Sequence, residues 1–289
     1  MDKKLKKIIW ISSYPKSGNT WVRAIVSSLL NTPDGVFKFE LLKLIPVYEN
    51  FTRYNFLKKT NPIEYNRLNN HIKYVSKYWN ESQKLLIYNK NLTKNYNIFK
   101  THSANLKVGN NNFTNTKLTL GNIYIVRDPR EIVISYSKYT GKTIDETIDL
   151  LSSKGAVLLP EKNLTITLMS SWDIHYRSWQ MLKVPTILIK YEDLLNSTGS
   201  EIAKIAKFLS KILQLNQNKF NSIINNVINS THIDIFKKYE KDFGFDEASK
   251  YSEFFGKAET SSWKRELSTK EILRIENKFK TIMIELNYL

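Results

Sequence analysis

The stretch Tyr-Pro-Lys-Ser-Gly-Asn-Thr-Trp, residues 14–21, concentrates more chemistry than any other part of the chain. Ile-Ile-Trp-Ile-Ser at 8–12 precedes it and Val-Arg-Ala-Ile-Val-Ser-Ser-Leu-Leu follows it. These flanks read as a strand entering and a helix leaving, so the eight residues make the turn between them. Backbone N–H groups at a helix N-terminus have no partners inside the helix, and the helix dipole adds partial positive charge there. Gly18 lets a bulky anion approach the backbone, and Lys16, Ser17 and Thr20 supply further donors. The arrangement suits a phosphate-like group. It is not the nucleoside-triphosphatase loop, because Lys16 precedes Gly18 and the flanks are proline and tryptophan.

Three further clusters carry chemistry. Phe-Lys-Thr-His at 99–102 ends an apolar run and sets Lys100 two residues from a histidine. An imidazole titrates near neutrality, which makes His102 at a strand end a candidate general base. Of the other histidines, His175 stands among Trp172, Tyr176 and Trp179 and reads as packing, while His71 and His232 have no chemical context. Val-Arg-Asp-Pro-Arg at 126–130 puts Arg127 at a strand end and opens a helix, with Asp128 as N-cap and Pro129 at the first helical position. Lys-Tyr-Glu-Asp-Leu at 190–194 closes a fourth apolar run with polar residues.

The elements that must position these clusters follow from periodicity. Strands are expected at 8–12 and 96–102 and in the runs beginning at 122 and 184; helices at 19–30, 128–139, 165–182, 199–209, 218–229 and 269–286. Residues 31–95 are aromatic and irregular, and a loop is expected near 244–262. Strands alternating with helices predict an α/β fold: a central, mostly parallel sheet flanked by helices on both faces. Ligands of such sheets sit beyond the C-terminal strand ends, where all four polar clusters fall, so they form one expected site. No repeat, linker or composition break divides the chain, and residues 1–289 read as one domain.

Hydrophobic residues at 42% and aromatics at 12% suffice for a real core in 289 residues. The absence of cysteine excludes disulfides and thiolate metal sites. Lysines before the first apolar run faintly resemble a signal peptide, but that run is short and leads straight into the anion loop, so a buried strand is the better reading. No apolar stretch is long enough to span a bilayer, and a cytoplasmic location is expected. Lys and Arg (44) exceed Asp and Glu (27), a net charge of +17 that favours anionic partners: nucleotide, nucleic acid, lipid surface or acidic polysaccharide. Between residues 51 and 118, twelve basic residues face two acidic ones.

The 14–21 turn closely resembles the 5′-phosphosulfate-binding loop of the sulfotransferases that use 3′-phosphoadenosine 5′-phosphosulfate (PAPS). Arg127 followed eight residues later by Ser135 matches that family's second signature, on the 3′-phosphate. Lys100 and His102 match its Lys-x-His, which places lysine near the transferring sulfuryl group and histidine on the acceptor hydroxyl. The resemblance implies a fold like that of the P-loop nucleoside triphosphate hydrolases, PAPS as donor with PAP as product, and no metal. It implies that Lys16, Ser17, Gly18, Asn19 and Thr20 bind the donor, with Trp21, Tyr191 and Phe236 against adenine. His102, Lys16 and Lys100 are then the catalytic set. Gly-Lys-Ala-Glu-Thr-Ser-Ser-Trp at 256–263 resembles the C-terminal loop R-K-G-x-x-G-x-W. Lys257 matches, but Gly256 replaces the arginine, and Ala258 and Ser261 replace the glycines, which weakens that loop's share in binding.

The acceptor would be a hydroxyl, or an amine, on a small molecule or carbohydrate, shaped by residues 31–95 and 141–162. Nucleic acid is not expected as a partner, and oligomeric state is open. Three other readings remain: a basic module for polysaccharide or nucleic acid, a catalytically impaired homologue, and an atypical nucleotide kinase. The kinase would need a carboxylate free to hold magnesium, whereas Asp128 is committed to its helix.

Overall fold

The computed structural model describes residues 7–54, 68–87, 95–256 and 258–289. Its first strand, β1 (Ile8–Ser13), is buried throughout, with Ile8 and Trp10 in one hydrophobic cluster and Ile9 and Ile11 in another. That division by alternate residues is what a strand covered on both faces requires. It recurs in β2 (Asn97–Thr101), β3 (Thr119–Val126) and β4 (Thr186–Lys190), where Tyr124 and Val126 face one cluster and Ile123 and Ile125 the other. The four strands pair in parallel in the order β2–β1–β3–β4. From β1 the chain goes outward to β2, then returns across β1 to β3. A crevice opens at such a reversal, beyond the C-terminal strand ends.

In chain order the helices are α1 (Asn19–Asn31), α2 (Leu68–Ile87), α3 (Pro129–Thr140), α4 (Ile144–Ser152), α5 (Trp172–Gln180), α6 (Tyr191–Asn196), α7 (Thr198–Leu213), α8 (Gln217–Ser230), α9 (Ile233–Phe243) and, after a single turn at Trp263–Glu266, α10 (Thr269–Glu285). Val22, Ile25, Ile205, Leu209 and Val227, from α1, α7 and α8, pack on the face of Ile9 and Ile11. Trp79, Ile132, Ile148, Trp179 and Phe279, from α2, α3, α4, α5 and α10, pack on the face of Trp10. Both faces are therefore covered, as expected. Among the described residues no helix is long and apolar enough to cross a membrane.

The helix expected over 165–182 is only half formed. Thr167–Leu168 instead pairs antiparallel with Val157–Leu158. Ser170 then turns left-handed at φ +59°, and α5 starts after Ser171. Cross-strand pairing takes the backbone groups that the first two turns of a helix would have used.

Asp128 does more than cap α3. Its Oδ1 accepts from the Arg130 backbone N–H at 2.9 Å, and the carboxylate also takes the Arg130 guanidinium, with Nη2 to Oδ2 at 2.7 Å. That guanidinium reaches Glu276 of α10 at 2.5 Å and the Tyr288 carbonyl at 2.8 Å, and lies over the Trp263 ring at 3.8 Å. One buried arginine thus joins the start of α3 to the C-terminal helix. Replacing Asp128 by Ala removes the cap and one partner of a buried cation, so unfolding free energy should fall by about 3 kcal/mol. Urea denaturation measures this; a loss under about 1 kcal/mol would show that Glu276 alone satisfies Arg130.

Candidate functional site

Beyond the ends of β1, β2 and β3 lies a cleft of about 1140 Å³. Lys16, Gly18, Asn19, Thr20, Trp21, Lys100, His102, Arg127, Ser135 and Tyr191 all border it. Four separate strand ends, the last through Tyr191 directly after β4, and the α1 and α3 helices therefore converge as expected. Lys257 lies outside the described residues. Phe236 is a correction: it is 0% exposed, its ring stacked on Phe37 at 5.3 Å with Phe39 and Phe255 against it. A ring so covered has no face free for a base.

The 14–18 turn is tight. Lys16 is left-handed at φ +64° and Gly18 at φ +92°. A Cβ on Gly18 would lie 2.6 Å from Cδ2 of Tyr191, so glycine is required there by conformation and by contact. Asn19 ties the helix start back to β1, donating to the Ile11 carbonyl at 3.2 Å and to Ser13 Oγ at 3.1 Å. Ser17 Oγ, Trp21 Nε1 and Arg127 Nε are buried without hydrogen-bond partners among the described residues. Native interiors rarely leave such atoms unpaired, so a concentration of them marks a place for a ligand's acceptors.

The cations around this turn are buried, or half-buried in Lys16, and individually held. Lys16 Nζ lies 3.4 Å from the Phe254 carbonyl and 4.4 and 4.3 Å from the Tyr139 and Phe254 ring centres. Burial, with the charge of Arg127 second, lowers its pKa to about 8. The Arg127 guanidinium covers Tyr191 at 4.2 Å and donates to the carbonyls of Lys16 at 3.2 Å and Glu259 at 3.3 Å. Lys100 pairs with Glu247 at 2.8 Å, and Arg23 of α1 pairs with the other oxygen of the same carboxylate at 2.6 Å. Among the described residues no three or more His, Asp or Glu side chains gather as metal ligands would.

His102 stands at the opposite side of β1. Its Nδ1 donates to the Ser13 carbonyl at 2.8 Å, which assigns the proton to Nδ1 and the lone pair to Nε2. Burial, reinforced by the charge of Lys100, drives its pKa down to about 3, so the ring is neutral across the physiological range. The loop that carries it is pinned on each side. Thr101 and Ser103 both donate to Glu49 Oε1, Ser103 at 2.7 Å, and Trp179 Nε1 donates to the Ser103 carbonyl at 3.0 Å. His175 is not mere packing: its Nε2 donates to the His102 carbonyl at 3.1 Å, while its Nδ1 accepts from the Tyr124 hydroxyl at 2.8 Å. Val47, Ile134, Leu150, Val157 and Leu158 line the same cleft, alongside Lys138, Lys142, Glu161 and Lys162.

Sequence reasoning missed Arg23, Glu49 and Glu247. A charge inside the apolar face of α1 was a signal for Arg23. Glu49 and Glu247 offered none, since they reach the site only through contacts 52 and 147 residues away in sequence. In the 256–263 loop, Ala258 and Ser261 adopt φ of +55° and +73°. The backbone there keeps the conformation that glycine favours, although neither residue is glycine.

A family model described as a sulfotransferase domain matches residues 6–287. Luciferin sulfotransferase of Photinus pyralis is 29% identical over 221 residues, 75% of this chain and 54% of that protein, so the chain spans about half the length of that curated relative. Among solved structures, retinol dehydratase in complex with androsterone and inactive cofactor PAP aligns with a TM-score of 0.60 at 17% identity, covering 96% of this chain and 80% of that one. A mouse sulfotransferase complexed with PAP aligns with a TM-score of 0.56 at 20% identity, covering 96% and 85%. At these identities the two structures establish a shared fold.

Left-handed backbone costs a residue with a Cβ about 1–2 kcal/mol that glycine avoids, offset in part by glycine's freer unfolded chain. Ala258→Gly should therefore stabilise the protein by about 0.5–1 kcal/mol, a rise of roughly 1–3 °C in Tm. A fall in Tm by differential scanning calorimetry would show that residue 258 is not held left-handed in solution.

Proposed function

The chain belongs to the sulfotransferase domain family, and from that premise we propose that it transfers a sulfuryl group from PAPS to a hydroxyl on a small apolar molecule. The observation that carries this reading is the meeting, in one cleft, of Lys16, Lys100 and a neutral His102 with its Nδ1 proton held by Ser13. The residues present fit the donor. Arg127 and Ser135 are eight residues apart yet border the same cleft, and buried donors on Ser17, Trp21 and Arg127 await acceptors. Trp21 and Tyr191 border the cleft with their rings 6.2 Å apart and edge to face, which supports a place for the adenine.

When bound, PAPS supplies an activated sulfuryl group whose transfer leaves negative charge on the departing 5′-phosphate. Lys16, the Thr20 hydroxyl and the N–H groups at the start of α1 stabilise that charge as it grows. Lys100 supplies a second cation beside them. His102 Nε2 takes the proton of the acceptor hydroxyl; the bond from Nδ1 to Ser13 and the clamps on its neighbours hold the ring in place. Val47, Leu150, Val157 and Leu158 offer apolar surface that supports an apolar acceptor body over a sugar. Residues 141–162 thus help form the acceptor chamber. The androsterone and retinol complexes of retinol dehydratase, a structural neighbour, agree with an apolar alcohol.

Label transfer from PAPS to a panel of apolar phenols and alcohols, with soluble sugars alongside, tests the reaction. His102→Ala should abolish transfer while leaving PAP affinity within about twofold, because it meets the acceptor and not the nucleotide. Collapse of PAP binding in that variant would move His102 out of the catalytic role.

The pH dependence of PAP binding tests Lys16. A bound phosphate raises the pKa of this ammonium above its free value of about 8, so binding takes up a proton at higher pH. Affinity governed by Lys16 is therefore full below pH 8 and lost as pH rises above it. Between pH 7.5 and 9 it should weaken by about tenfold in calorimetric titrations, with Lys100, also depressed by burial, acting in the same direction. Lys16→Ala should flatten most of that slope; an unchanged slope would remove Lys16 from the phosphate site.

A further inference from the structure

Arg23 is an odd member of α1. Its neighbours Val22, Ala24, Ile25 and Val26 fill the core, and its own side chain is almost as buried, at 5% exposure. Nη2 donates to the Leu42 carbonyl at 3.1 Å, Nη1 donates to Glu247 Oε1 at 2.6 Å, and Nε is buried without a partner among the described residues. Glu247 Oε2 accepts from Lys100 Nζ at 2.8 Å and from the Thr20 hydroxyl at 3.4 Å. One carboxylate therefore draws donors from two turns of α1 and from the end of β2. It arrives from the segment after α9, where the Tyr139 hydroxyl also holds the Glu247 carbonyl at 3.1 Å.

Two buried cations need an anion, since each left unpaired would be strongly destabilising. Thr20 and Lys100 are also residues that the proposed function sets on the phosphosulfate. The single Thr20 O–H cannot serve two anions at once, and a second anion on Lys100 would stand against the Glu247 carboxylate. Lys16 is covered by the same segment, through the carbonyl and ring of Phe254.

We propose that Arg23, Lys100 and Thr20 form one oxyanion subsite, that Arg23 is a further ligand of the donor's phosphosulfate, and that the Glu247 carboxylate is an internal anion exchanged for it on binding. The inference rests on the PAPS reading. Glu247 holds the unliganded cations in place and lowers the apparent affinity for the nucleotide by the free energy of its own displacement. Its withdrawal moves the segment that covers Lys16, so a single exchange opens both cations to the ligand.

Calorimetric titration with PAP tests this on wild type, Glu247→Gln and Asp246→Asn, the last changing net charge equally at the adjacent cleft-lining residue. Glu247→Gln should bind PAP at least tenfold more tightly and melt lower without ligand, whereas Asp246→Asn should stay within twofold. Adding Arg23→Met to Glu247→Gln should erase the gain. Equal or weaker binding by Glu247→Gln, beside measurable wild-type binding, overturns the exchange and leaves the PAPS reading standing. Equal tightening by both charge variants also overturns it, as long-range charge alone. No binding to any variant overturns the PAPS reading itself. Should Glu247→Gln fail to fold, Glu247→Asp, too short to reach both cations, should still bind PAP more tightly; unchanged affinity overturns the proposal.

Discussion

Two buried cations that share one carboxylate set the terms for the whole C-terminal edge of the sheet. Arg23 and Lys100 belong to different elements, and Glu247 answers both, at 2.6 and 2.8 Å. Burial alone would raise the pKa of this carboxyl, but the charges of Lys100 and Arg23 override it and hold the group well below the usual carboxylate range. Positive charge fixed in this way favours a nearby anion.

Topology explains why that charge collects there. A parallel sheet sends every strand end to the same side, and the reversal at β1 separates the connections that leave β1 and β3. The β1–α1 turn and the end of β2 thus border one crevice, which brings Lys16 and His102 to the same cleft from 86 positions apart. What turns this coincidence of position into fixed geometry is the packing beneath. Glu49, His175 and Trp179 bind three consecutive residues of the His102 loop, and Tyr124 fixes His175 in turn. A side chain held this way loses little entropy when a ligand arrives.

The parts of this arrangement legible in sequence are those encoded locally. The β1–α1 turn, the Asp128 and Pro129 helix start and the polar strand ends all depend on residues a few positions apart, and the structure realises each. The convergence of four strand ends followed from one general rule about parallel sheets, and it too is realised. Failures occur where distant partners decide. The apolar periodicity of 165–182 reads equally as helix, until pairing with Val157–Leu158 claims its first part. Phe236 belongs to a helix whose burial depends on Phe37 and Phe255, so its exposure could not be judged from spacing. His175 looked like packing because Tyr124 and the His102 carbonyl are 51 and 73 residues away.

The loop at 256–263 shows how backbone shape and residue type can separate. Ala258 and Ser261 hold left-handed conformations at a cost of about 1–2 kcal/mol each, so contacts elsewhere must impose the shape. Glu131 supplies them at one end, accepting from Ser262 Oγ at 2.9 Å and from the Trp263 N–H at 3.0 Å. Arg127 supplies another by binding the Glu259 carbonyl. The loop is thus moulded from outside by Arg127 of the β3–α3 connection and Glu131 in the first turn of α3, and needs neither glycine to reach its fold. Its own charge is then free to vary, and Gly256 contributes none. Four cations at the C-terminal strand ends lie instead on or directly beside the core elements: Lys100 on β2, Arg23 on α1, Lys16 in the turn between β1 and α1, and Arg127 just after β3. Cations placed there cannot relax away from one another, and that rigidity, more than their number, is what makes an anion necessary.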